Sequence, residues 1–137
     1  MNKKVYFAGS IRGGRNEAAF YQKMIEHIKK TDIVLTEHIG NLSLSVHEQD
    51  LDHDEAIYLQ DTGWLRECDV VIAECTSPSL GVGYEMAYAE KFNKPVHIFY
   101  NQNKTNLSAM LKGDRYFNIH PYDNEEEVFA VIDEILK

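Results

Sequence analysis

Short apolar runs alternate along the chain with segments whose apolar residues recur at helical spacing. Five runs have strand length and are rich in β-branched or aromatic residues. They are KKVYFAG (3–9), DIVLTEH (32–38), CDVVIAE (68–74), KPVHIFY (94–100) and RYFNIH (115–120). Helix-period segments separate them. Residues 15–30 carry Ala18, Ala19, Tyr21, Ile25 and Ile28; residues 54–67 carry Ile57, Leu59, Trp64 and Leu65. Residues 82–92 carry Met86, Ala87, Ala89 and Phe92. A last helix is predicted after Asn124, a residue suited to an N-cap, through Val128, Phe129, Val131, Ile132 and Ile135.

Strands that alternate with helices predict an α/β fold with a parallel sheet covered on both faces. The expectation is one doubly wound, Rossmann- or flavodoxin-like domain over residues 1–137, with strand order 2-1-3-4-5. In such sheets a ligand binds beyond the carboxyl ends of the strands, where the winding reverses. For this order that place lies between the first and third strands. The two glycine-rich turns follow those two strands: GSIRGGR (9–15) and TSPSLGVG (76–83).

Composition narrows the field. A chain of 137 residues with 44% apolar content can bury a core, and its net charge of -8 argues against binding a nucleic-acid polymer. No run approaches the roughly 20 apolar residues of a membrane span. The first strand begins almost at residue 1, which leaves no room for a signal peptide. Cys68 and Cys75 fit reduced thiols better than a disulfide framework. The expectation is a soluble cytoplasmic protein.

The first turn offers glycine backbone, the Ser10 hydroxyl and the donors of Arg12 and Arg15, a set suited to a phosphate at a helix N-terminus. It lacks the ending of a Walker A loop. The second turn begins a Gly-x-Gly pattern at Gly81 and Gly83, but Met86 stands at the third glycine of the dinucleotide fingerprint. Glu85 then falls near the start of a helix. There it serves either the helix dipole or, once ionised, as a nucleophile. Retaining glycoside chemistry pairs such a nucleophile with a second carboxyl group. Among the acids of residues 47–69, Asp61 sits two helical turns before Asp69, so a helix feeding the third strand carries it toward the carboxyl edge. His47, Asp50, Asp52, His53 and Asp54 are crowded but lack a metal-ligand pattern.

Taken together, VYFAGSIRGGR, LTEH, LQDTGWLRECDVVIAE, TSPSLGVGYEMAYA and LSAM resemble the 2'-deoxynucleoside 5'-monophosphate N-glycosidases of the nucleoside 2-deoxyribosyltransferase superfamily. The resemblance runs in order from about residue 4 to about residue 120. It implies that Glu85 attacks C1' of the deoxyribose, that Asp61 assists base departure and activates water, and that Tyr6 lines the sugar and holds the nucleophile. It also implies that Gly9, Ser10, Ile11, Arg12 and Gly13 form the first nucleotide loop and that Ser79 and Gly81 make the second phosphate contact. Ser108 and Met110, in LSAM, match substrate contacts, with Ser108 delivered from the neighbouring subunit of a homodimer. The resemblance places HEQD immediately before the family's catalytic helix. Here HEQD (47–50) precedes YLQD (58–61), so Asp50 and Asp61 compete for one role. The eight-residue spacing to Asp69 and the following TGWL favour Asp61. The implied reaction is hydrolysis of a deoxynucleoside monophosphate without metal or organic cofactor. A deoxyribosyltransferase, a ribonucleotide phosphoribohydrolase and a nucleotide sensor without turnover are the competing readings.

Overall fold

A computed structural model of the chain describes residues 2–10, 17–36 and 54–137. The elements are β1 (Lys4–Ala8), α1 (Ala18–Lys29), β2 (Ile33–Val34), α2 (Asp54–Glu67), β3 (Val70–Glu74), α3 (Leu80–Lys91), β4 (Val96–Asn101), α4 (Ala109–Lys112), β5 (Asn118–Tyr122) and α5 (Glu125–Leu136). Every strand pair is parallel, and the order is β2-β1-β3-β4-β5, as the sequence predicts.

Alternation along the strands divides the core into two layers. Val5 and Phe7 of β1, with Val70 and Ile72 of β3, pack with Phe20, Met24 and Ile28 of α1 and with Val128 and Ile132 of α5. Tyr6 and Ala8, with Val71 and Ala73, turn the other way and pack with Leu65 of α2 and with Val82, Met86 and Ala89 of α3. Both layers are apolar, which is why β3, buried at every residue, reads as a continuous run rather than an alternating one.

Three boundaries differ from the sequence prediction, each for a local reason. β2 covers only two of the predicted residues, because Thr36 replaces ladder pairing with its side chain. Its hydroxyl accepts from the Phe7 amide at 2.9 Å and donates to the Phe7 carbonyl. β5 runs later than predicted and passes through Pro121. An edge strand pairs on one side only, so a missing N–H is tolerated there. α3 begins at Leu80, so Gly81 and Gly83 lie in its first turn rather than in the preceding turn. Ser79 starts it: the residue is extended, and its Oγ accepts from the Val82 amide at 3.2 Å. α4, a single turn capped by Ser108, has no counterpart in the sequence prediction. Asn124 caps α5 as expected, its side chain accepting from the Glu127 amide.

Candidate active site

A cleft opens at the carboxyl ends of β1 and β3, on the α2/α3 side of the sheet. Its volume of about 1450 Å³ exceeds the roughly 300–1000 Å³ of a typical small-ligand pocket, so it is an open groove. Gly9, Asp61, Ser79, Gly81, Glu85, Ser108 and Met110 all line it. The fold therefore gathers in one place residues spread over a hundred positions of sequence.

Glu85 and Asp61 line the groove, and Tyr6, which does not, lies behind Glu85. Tyr6 is 1% exposed, and its hydroxyl donates to Glu85 Oε2 at 2.6 Å. The register of β1 beside β3 sets Tyr6 opposite Val71, with its side chain on the face that α3 covers. Glu85 stands in the second turn of α3, and the helix has no acid in its first turn. The dipole explanation for this acid is correspondingly weaker, since the effect fades beyond the terminal turn. Burial pushes the Glu85 carboxyl up to about 8; the Tyr6 hydrogen bond opposes this, and the charge and side-chain hydrogen bond of Asp61 add to it. Asp61 of α2 and Glu85 of α3 thus meet, carboxyl to carboxyl. Two acids in such contact do not both ionise readily, so the pair retains a proton that two solvated carboxylates would lose. Burial, and then the charges of Glu85 and Asp61, hold the Tyr6 phenol far above its ordinary range, so it stays a donor.

The second glycine turn brings polar groups to the rim. Capping occupies a lone pair of Ser79 Oγ and leaves its O–H free to donate elsewhere. A Cβ on Gly81 would meet only Ser79 Oγ, at 3.8 Å, and one on Gly83 would meet nothing within 4 Å. Among the described residues neither glycine is required by packing; both line the groove. Gly9 is different, because a Cβ there would lie 2.7 Å from the Tyr21 ring. That close approach lets the Tyr21 hydroxyl accept from the Ser10 amide at 3.1 Å. Ser10 is fully buried, and its own hydroxyl has no hydrogen-bond partner among the described residues. Ile11, Arg12, Gly13 and Arg15 lie outside the described residues, as do His47, Asp50, Asp52 and His53.

Ser108 and Met110 stand on the outer rim of the same groove, and Met110 is 83% exposed. Thr105 and Asn106, which sequence reasoning missed, line it beside them. They carry no motif; only the path of the β4–α4 connection across the carboxyl edge brings them there.

The sequence profile of the nucleoside 2-deoxyribosyltransferases matches residues 5–128. The chain belongs to the nucleoside 2-deoxyribosyltransferase family. Within it, the chain is 41% identical over 134 residues to the human 5-hydroxymethyl-dUMP N-hydrolase, a match covering 94% of this chain and 76% of that protein. It is 40% identical over 139 residues to the 5-hydroxymethyl-dUMP N-hydrolase of Esox lucius, covering 97% and 95%. A putative 2'-deoxynucleoside 5'-phosphate N-hydrolase 1 of Trichoplax adhaerens is 46% identical over 112 residues, covering 81% and 76%. Among solved structures, a CMP N-glycosidase of Clostridium botulinum superposes with a TM-score of 0.68 over 96% of this chain and 99% of its own. At 20% identity that likeness speaks to the fold alone.

Proposed function

We propose that this family member hydrolyses the N-glycosidic bond of 2'-deoxynucleoside 5'-monophosphates, releasing the free base and 2-deoxyribose 5-phosphate. The observation that carries the reading is the meeting of Glu85 and Asp61 in one groove, with the Tyr6 hydroxyl donating to Glu85. A nucleotide sensor needs phosphate donors, not two converging acids backed by a phenol.

That geometry supports the following division of labour. The acid pair holds one proton between its members near neutral pH. The Tyr6 donor favours the charge on Glu85, leaving the proton with Asp61. Glu85 attacks C1' as the bond to the base breaks, and Asp61 gives its proton to the departing base. The glycosyl ester on Glu85 is then opened by water, whose proton Asp61 takes. The transition state carries oxocarbenium character, which the negative charge of Glu85 stabilises. At the other end of the sugar, Ser79 and the first amides of α3 receive the phosphate, with Arg12 of the first turn; Ser10, fully buried and outside the groove lining, supports that turn from behind. Glu85 lies six residues beyond Ser79, about 9 Å along a helix. That span suits a furanose ring and its 5'-phosphate. The phosphate takes no part in bond breaking, but its binding energy orients C1'.

The protein works as a cytoplasmic homodimer in this reading. The outer rim supports a second copy: Leu80 is 97% and Met110 83% exposed, and Tyr58 and Tyr84 stand exposed beside the groove as well. Apolar side chains gathered on one rim mark a docking surface. A partner seated there would bring its own Ser108 toward this groove.

The phosphate donors favour the hydrolase over transfer of an unphosphorylated nucleoside's sugar. Chromatography of the purified protein with each deoxynucleoside monophosphate, with and without a second base, tests both readings. Free base without an acceptor supports the hydrolase. Turnover that depends on an added base would make the protein a transferase.

A further inference from the structure

Glu74 closes β3 on the face of the sheet opposite Glu85, and the chemistry above does not use it. It is completely buried. Its Oε1 accepts from the Thr76 amide at 3.1 Å, and its Oε2 accepts from the Thr76 hydroxyl and from the Tyr122 hydroxyl, the latter at 2.7 Å. Thr76 Oγ1 in turn accepts from the Asn101 amide at 2.9 Å. One carboxyl group therefore ties the carboxyl ends of β3, β4 and β5 together. Burial pushes Glu74 above the ordinary carboxyl range, and its hydrogen bonds to Thr76 and Tyr122 oppose that shift.

Taking a carboxylate out of water is costly, and apolar side chains fill such sites at least as well for stability alone. What an apolar residue could not do is hold Thr76 by both its amide and its hydroxyl. From Thr76 only Ser77 and Pro78 intervene before Ser79, and the proline fixes one of the backbone angles between them. Fixing Thr76 thus fixes where Ser79 and the first amides of α3 stand. We propose that Glu74 is a positioning residue for nucleotide binding, acting through Thr76 to set the Ser77–Ser79 turn that receives the phosphate.

The inference rests on the phosphate-binding role given above to that turn, but not on turnover. It is tested in a Glu85→Gln background, which keeps the ligand intact. Dissociation constants for dUMP and for deoxyuridine are read from the ligand dependence of the melting temperature. Glu74→Leu should weaken dUMP by about 10-fold or more while leaving deoxyuridine unchanged. Glu74→Gln, which keeps one carbonyl acceptor, should recover part of the loss. Where Glu74→Leu does not fold, Thr76→Val removes the hydroxyl alone and should show the same selectivity for the phosphorylated ligand. Equal losses for both ligands would mark a purely structural group and overturn the inference, as would unchanged dUMP binding. Phosphate-selective loss in a protein whose unaltered form releases no base would leave the positioning role standing and defeat the hydrolase reading.

Discussion

Tyr6 on β1 donates its hydroxyl to Glu85 on α3 across 2.6 Å, although 79 residues separate them in sequence. The bond stabilises the charged carboxylate and so opposes the rise that burial and Asp61 impose on Glu85. Removing the hydroxyl alone, by Tyr6→Phe, should leave the fold intact and lower kcat by about 10- to 100-fold, the worth of a hydrogen bond to a charged group. The acid limb of the pH–rate profile should move to higher pH, because the acid pair then takes up its second proton, on Glu85, more readily. Steady-state kinetics from pH 4 to 9 would read both effects.

The raised Glu85 carboxyl also predicts a pH dependence of stability. An unfolded glutamate titrates near 4.5, whereas in the fold the Glu85–Asp61 pair keeps one shared proton up to about 8. Between those values the native state binds more protons than the unfolded state, so this group's contribution to stability falls as pH rises. Glu85→Gln keeps the size and removes the titration. Its melting temperature should exceed that of the unaltered protein at pH 8.5, by roughly 1–3 kcal/mol in free energy, and match it near pH 4.5. Thermal unfolding of the two proteins across that window checks the sign.

Asp61, not Asp50, should carry the proton to the departing base. Asp61→Asn should cost about 10²- to 10⁴-fold in kcat, the range for a lost general acid. Asp50→Asn should keep activity within several-fold. Measuring the two variants side by side on one deoxynucleoside monophosphate decides the question, and the opposite ranking would transfer the role to Asp50.

The proposed homodimer, in which Ser108 serves the neighbouring groove, predicts complementation between subunits. Ser108→Ala and Glu85→Gln should each impair their homodimers, yet a mixed dimer contains one site free of both changes if Ser108 serves the neighbour. Co-refolding the two variants should therefore restore activity above that of either alone. Mixtures no more active than the better variant, or an active monomer by sedimentation, would count against the exchange.

The fold was legible in the chain because strand and helix periods are clean. Tyr6 and Phe7, adjacent in sequence, part to opposite layers as alternation requires. The strand order then marks the carboxyl edge where the groove lies. Boundaries were legible only where a side chain signals them locally, as Asn124 does at α5. Ser79 sent the same signal at α3, but two glycines beyond it mimic a loop. The meeting of Asp61 with Glu85 depends on how α2 and α3 pack, which periodicity does not encode; motif spacing chose Asp61. The Glu74 cluster was the least visible, since Tyr122 lies 48 residues away. Its one sequence trace is an acid ending a strand that is otherwise wholly apolar.

The most direct measurement is release of free base from a deoxynucleoside monophosphate by the unaltered protein and by Glu85→Gln, with nucleotide affinity recorded for both. The unaltered protein should yield the base and 2-deoxyribose 5-phosphate, while Glu85→Gln binds the nucleotide and releases no base. Equal rates from the two proteins would contradict a nucleophilic Glu85.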